Sequence, residues 1–196
     1  MRLLSVDVDL VCCPSDKAWD EWLRLETFKH FLDNFSNELT KYPWDYMEKT
    51  KGALPYNLAE LYPYVKDPMS FWRELDYSTL TPIEGSVEAL QELSKHFGIT
   101  FLSSCKGGHF KSKYYWLEKH YPFLEGFLAT KKKYLVNDSV VAHTDDRLDM
   151  LAGFDLHKRV LYETPYTQSV SCPVGYKIKS WESLDVGEFI DYLLGG

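Results

Sequence analysis

Positive charge is scarce in this sequence: 22 lysines and arginines stand against 29 aspartates and glutamates, for a net charge of −7. Broad binding to polymeric nucleic acid needs a cationic surface to neutralise phosphates, and this balance argues against it. A single nucleotide is not excluded, because one phosphate needs only a local cationic pocket. Long apolar runs are missing too. None approaches a bilayer span, and the N-terminal stretch lacks the charged region and small-residue cleavage site of a secretory signal, so a cytoplasmic protein without a membrane partner is expected. Cysteine is sparse. Cys12, Cys13, Cys105 and Cys172 show no CxxC spacing and the first two are adjacent, which suits neither a disulfide framework nor a structural zinc site. Reduced, buried thiols are expected, with Cys12 read as a core residue rather than a nucleophile. Repeats, low-complexity tracts and flexible linkers are also lacking.

What is present is enough apolar sequence, 45% of 196 residues, for one well-cored domain with a modest insertion. The first eleven residues, MRLLSVDVDLV, read as a strand covered on both faces of a parallel sheet and ending in Asp7 and Asp9. Open α/β sheets bind ligands just beyond the carboxyl ends of their strands, and alternate side chains of an extended chain point the same way. The two carboxylates can therefore converge on one ligand. Together they repel unless a hard cation such as Mg²⁺ intervenes. Two aspartates that merely end a strand and cap a turn fit this stretch equally well.

From Asp16 to Thr40 the apolar positions recur at helical spacing, with Ser15 or Asp16 as N-cap. Residues 41–80 break into short pieces rich in proline and aromatics, including Tyr42, Trp44, Tyr46, Tyr56, Tyr62, Tyr64, Phe71 and Trp72. Residues 14–81 thus read as a small helical insertion, whose rings can stack a nucleobase or simply form its own core. TPIEGSVEALQELSKHF is a helix after a turn at Pro82 and Gly85, ended by Gly98; Lys111 to His120 is another, with Tyr114, Trp116 and Leu117 inward. Between them ITFLSS is a strand that finishes in Ser103 and Ser104, before a loop with Lys106 and two glycines. FLEGFLAT delivers the run Lys131, Lys132, Lys133, of which one can turn inward against phosphate. SVVAHTDD ends in a second acidic pair, Asp145 and Asp146, with Asp149 placed to cap the next helix. A fifth and a sixth strand and a closing helix complete the chain. Carboxylates gathered at one sheet edge need a cation, so the later strands weigh toward a site.

A strand ending DxDxV, a second ending in serine, a lysine after the third and a fourth ending DD resemble, in order and spacing, the four motifs of the haloacid dehalogenase-like phosphatases. PIEGSVEALQELSKHF, KSKYYWLEKHYPFL, VVAHTDDRLDML, VLYETPYTQS and KIKSWESL are similar to stretches of the cytosolic 5'(3')-deoxyribonucleotidases of that superfamily, across nearly all of residues 82–190. The resemblance implies a Rossmann-like α/β core of residues 1–13 and 82–196 and a helical cap of residues 14–81. It implies Asp7 as nucleophile forming an aspartyl-phosphate and Asp9 as acid/base. Mg²⁺ would be held by Asp7, the Asp9 carbonyl and Asp146, with Asp145 behind. Ser103 would bind the transferring phosphoryl, with Ser104 the alternative, Lys133 would stabilise its oxygens, and Lys106 would add a phosphate contact. The implied substrate is a (deoxy)ribonucleoside monophosphate. Two departures stand out: Leu10 where the family usually has glycine, and Ser103 for the commoner threonine. A phosphatase for another small phosphate, such as a sugar phosphate, and a noncatalytic phosphate-binding module are the competing readings. A homodimer is compatible with all of them.

Overall fold

The computed structural model describes residues 2–34, 55, 57–105, 108–167 and 173–195. Phe35, Leu39, Tyr42, Trp44, Tyr46, Tyr56, Lys106 and Cys172 lie outside the described residues. Six strands form one sheet in the order β3-β2-β1-β4-β5-β6: β1 (Leu3–Val6), β2 (Gly98–Ser103), β3 (Leu124–Ala129), β4 (Val140–Asp145), β5 (Arg159–Tyr162) and β6 (Tyr176–Ile178). Every pairing is parallel, with Val6 in register with Phe101 on one side and Thr144 on the other. The central parallel strands are covered on both faces, which explains their largely apolar character: Leu4, Val6, Ile99, Phe101, Ala142 and Val160 are fully buried. Each large apolar side chain buried in this way contributes roughly 1.5–3 kcal/mol.

The chain winds from β1 to β2 and β3 on one side, then crosses to β4, β5 and β6 on the other. The strand order therefore reverses at the β1–β4 crevice, the place where doubly wound sheets bind ligands. Helices α1 (Ser15–Asn34), α2 (Ser70–Glu74), α3 (Ser86–Leu93), α4 (His109–His120), α5 (Leu148–Leu151) and α6 (Val186–Leu194) complete the described residues, with short 3-10 turns. Trp19, Leu23, Leu58, Leu61, Tyr62 and Phe71 pack together as a second, smaller core in the insertion. Several of its rings are thus its own core, as one of the two readings required. None of the described helices is long and apolar enough to cross a membrane.

Three local expectations are corrected. Gly98 does not end α3; that helix stops at Leu93, and Gly98 opens β2, where its N–H donates to the Arg2 carbonyl at 2.9 Å. Asp149 does not cap α5, because Arg147 precedes that helix and takes the Asp149 carboxylate in an ion pair. Ser15 is already helical, and Asp16 accepts a hydrogen bond from the Tyr166 hydroxyl at 3.2 Å instead of capping α1. Gly85, by contrast, serves the turn expected of it. Its φ is 76°, and an added Cβ would lie 2.8 Å from the Glu182 backbone nitrogen.

Leu10 is the one non-glycine residue with positive φ, 63°, among the described residues. Its N–H donates to the Cys13 carbonyl at 2.8 Å, while the N–H groups of Cys12 and Cys13 both donate to the Val8 carbonyl at 2.9 Å. Val11, Cys12 and Cys13 are fully buried, so the turn cannot relax outward. A branched side chain in this conformation costs about 1–2 kcal/mol. Leu10→Gly is therefore expected to raise the melting temperature by roughly 2–4 °C, checked by thermal unfolding. A lower melting temperature would mean that the leucine contributes more packing than the turn costs.

Candidate active site

β1 ends at Val6, and the chain continues into the β1–β4 crevice, where the Asp7 N–H donates to the Thr144 carbonyl at 2.8 Å. Asp7 Oδ1 accepts from the Val8 N–H at 2.8 Å and lies 2.8 Å from Lys133 Nζ. Of the three consecutive lysines only Lys133 is buried, at 3% exposed. It donates to Asp145 Oδ2 at 2.7 Å. His143 Nε2 lies 3.0 Å from that same oxygen, and Asp145 Oδ1 accepts from the Arg147 N–H at 2.9 Å. Both oxygens of Asp145 thus have hydrogen-bond partners. Asp146, buried beside it, has an Oδ2 with no hydrogen-bond partner.

One oxygen each from Asp7, Asp145 and Asp146 lie within 4.8 Å of one another. Burial pushes the Asp7 carboxyl up to about 7, against the attraction of Lys133 and reinforced by the charges of Asp145 and Asp9. Burial, then Asp145 and Asp7, push Asp146 well above the usual carboxylate range. Burial works the same way on Asp145, but Lys133 and His143 outweigh it and hold that carboxyl low. One ammonium cannot neutralise three buried carboxylates. The donor set, all hard oxygen with one orphaned atom, fits a divalent cation such as Mg²⁺.

Asp9 belongs to a second cluster. Its Oδ2 accepts from Lys113 Nζ at 2.7 Å and Ser103 Oγ at 3.4 Å, and its Oδ1 from the Tyr77 hydroxyl at 2.7 Å. Lys113 also donates to Ser103 Oγ at 2.8 Å and sits 4.8 Å from the Tyr77 ring centre. Burial alone would raise the Asp9 carboxyl. Lys113, by charge and hydrogen bond, and then Tyr77 outweigh it and bring the value below the ordinary one. Lys113 is fully buried on the inner face of α4, where Tyr114 was expected; Tyr114 instead turns outward and donates to Glu118.

A cavity of about 370 Å³ opens above these groups, within the size range of small-molecule sites. Asp7, Asp9, Ser104 and Lys133 reach it, together with His109, Lys131 and Arg147. Ser103 is buried and does not line the cavity, whereas Ser104 does. The insertion supplies the opposite wall through Trp19, Leu58, Met69 and Trp72, with the two indoles packed edge to face at 5.3 Å. Sequence reasoning assembled Asp7, Asp9, Ser103, Ser104, Lys133, Asp145 and Asp146 here, and Lys106 lies outside the described residues. It missed Lys113, Tyr77, His109 and Arg147. A lysine four residues after His109 and three before Trp116, on an otherwise apolar helical face, was the available signal for the first.

The likenesses to known proteins agree with this geometry. The family described as "5' nucleotidase, deoxy (Pyrimidine), cytosolic type C protein" matches residues 1–190. No curated protein sequence matches. Among solved structures, one described as a haloacid dehalogenase-like hydrolase from Burkholderia xenovorans shares 17% identity at TM-score 0.58, covering 98% of each chain. A haloacid dehalogenase-like family hydrolase from Xanthomonas campestris shares 9% at 0.57, covering 99% of this chain and 96% of that one. One described as a β-phosphoglucomutase from Thermotoga maritima shares 14% at 0.57, covering 97% of this chain and 100% of its own. At these identities the structures speak for the fold alone. The family match, over nearly the whole length, speaks for more: the chain belongs to the cytosolic type C deoxy-5'-nucleotidases, phosphoric monoester hydrolases of the haloacid dehalogenase-like fold.

Proposed function

We propose that this protein hydrolyses (deoxy)ribonucleoside monophosphates to nucleoside and phosphate through an aspartyl-phosphate on Asp7. One observation carries the reading. Asp7, Lys133, Asp145 and Asp146 converge, buried, at the strand-order reversal beneath a cavity walled by Trp19 and Trp72. An aromatic, apolar wall opposite the carboxylates suits a flat base; a sugar phosphate would call for a polar one. The described residues 14–81 fit a cap over a core of residues 1–13 and 82–196.

In the first half-reaction an Asp7 oxygen attacks phosphorus and the bond to the nucleoside oxygen breaks. Asp9 gives that oxygen its proton. Lys113 keeps Asp9 ionised at rest; the arriving phosphate dianion, adding negative charge beside it, favours its taking up a proton from solvent, and that proton is the one handed to the leaving oxygen. In the second half-reaction water attacks phosphorus of the aspartyl-phosphate, Asp9 takes its proton, and phosphate and free Asp7 are restored. Lys133 stabilises charge on the phosphoryl oxygens, with Ser104 and Ser103 as hydroxyl donors. Asp7, Asp146 and the Asp9 carbonyl would hold Mg²⁺, with Asp145 orienting Lys133. The ion supplies neutralisation of the carboxylates and of the anionic substrate.

Phosphate release from dUMP, dTMP and a sugar phosphate, with Mg²⁺ and then with a chelator, tests this. The expected result is hydrolysis of the nucleotides in preference to the sugar phosphate, lost on chelation and restored by Mg²⁺. Mg²⁺ should also raise the melting temperature, because it binds the folded carboxylate cluster. Preference for the sugar phosphate, or full activity in chelator, would overturn the reading.

A further inference from the structure

The proposed reaction leaves two fully buried polar side chains without a task, Ser5 on β1 and His143 on β4. They are partners in the strand register, and each stands two residues before a carboxylate of the site, Asp7 and Asp145. Polar groups inside a sheet are costly unless hydrogen-bonded, and these two are bonded to each other and onward to the site. Ser5 Oγ lies 3.0 Å from His143 Nδ1, and His143 Nε2 lies 3.0 Å from Asp145 Oδ2. The Phe154 ring stacks on the imidazole at 4.7 Å and fixes its plane.

Proton counting fixes the direction of this chain. The Asp145 carboxylate can only accept, so Nε2 carries the proton that faces it. A neutral ring then accepts at Nδ1 from the Ser5 hydroxyl; a charged ring donates there, and the hydroxyl turns to the Ala142 carbonyl 3.2 Å away. Both arrangements present Nε2–H to Asp145, whereas the remaining tautomer would set a lone pair against a carboxylate. Asp145 Oδ2 thus takes two donors, His143 and Lys133, and Lys133 also reaches Asp7 Oδ1 at 2.8 Å. A carboxylate's own terminal torsion is broad, and a lysine ammonium rides on a flexible stem. The imidazole, held by β4, Ser5 and Phe154, is the rigid member of the three. We propose that His143 is a positioning residue: its Nε2–H locks the Asp145 carboxylate, which holds the Lys133 ammonium where the transferring phosphoryl develops charge. This role rests on Lys133 as the cation of the proposed reaction and not on which phosphate ester the site accepts.

The test compares His143→Gln, whose amide reaches the place of Nε2, with His143→Asn, whose amide reaches only that of Nδ1. Both stay polar and both lose the stacking on Phe154, so a purely structural role would impair them alike. kcat and KM are measured with Mg²⁺ for dTMP and for p-nitrophenyl phosphate, and the ring tautomer is read from the imidazole nitrogen NMR shifts of the metal-free wild type. The wild type should carry a proton on Nε2. His143→Asn should lower kcat roughly 10–100-fold with KM within about twofold, and His143→Gln should return kcat to within about fivefold of wild type. Equal loss in the two variants, wild-type kcat in His143→Asn, a loss confined to KM, or a lone proton on Nδ1 overturns the proposal. The tautomer decides even where a variant fails to fold. Hydrolysis of p-nitrophenyl phosphate but not of dTMP would sink the nucleotidase reading, and the aryl ester would still decide the role of His143. A wild type inactive on both esters would overturn the two together.

Discussion

Asp7→Asn is expected to lower phosphate release roughly 10⁴-fold or more while leaving the fold intact. The amide keeps the shape of the carboxylate but cannot attack phosphorus. Stability should move the other way. In metal-free protein burial and the neighbouring carboxylates push Asp7 up to about 7. A carboxyl raised in the folded state favours folding below its unfolded value, and that contribution is lost as pH rises through the folded value. At about pH 8, without metal, the neutral variant should therefore melt at or above the wild type. Thermal unfolding in chelator together with a phosphate-release assay checks both parts. An inactive variant that also melts well below wild type would indicate damage to the fold and not removal of a nucleophile.

Lys113→Met is expected to destabilise the protein by about 3 kcal/mol, because it leaves Asp9 without its charge partner in a largely buried setting. For a chain of this size that is a fall in melting temperature of roughly 10 °C. Activity should fall with it, since Lys113 holds Asp9 and Ser103 in place through bonds of 2.7 and 2.8 Å. Combining it with Asp9→Asn separates the effects. Removing both charges should recover much of the stability and none of the activity. A Lys113→Met protein as stable as wild type would show that water, not lysine, satisfies Asp9.

How much of this was legible in the sequence depends on how local each signal is. All six strands could be read; for the central ones the reason is that a strand buried on both faces leaves a largely apolar run, as in LLSV, ITFLS and VVAHT. Residues that end those strands came with them, which is why Asp7, Ser103 and the Asp145–Asp146 pair were placed before any geometry was known. Lys113 was hidden for the opposite reason. Lysine is rarely buried without a partner, and its partner Asp9 is 104 residues away, so nothing local to the helix marks the residue as buried. Tyr77 stands on a three-residue 3-10 turn and meets Asp9 from 68 residues off, too short an element for any periodicity to register. The insertion resisted detailed reading likewise, since α2 spans only Ser70–Glu74. Leu10 was legible only as a departure, and the positive φ explains why glycine is the usual occupant.

In the proposed reaction Asp7 is the group that accepts the phosphoryl. Quenching the enzyme during turnover of dUMP or dTMP with Mg²⁺, reducing any acyl-phosphate with borohydride and mapping the peptides reads that directly. The predicted result is reductive loss of the carboxyl at Asp7 alone, dependent on substrate and Mg²⁺. Trapping at another carboxylate, or none at all while phosphate is being released, would contradict it.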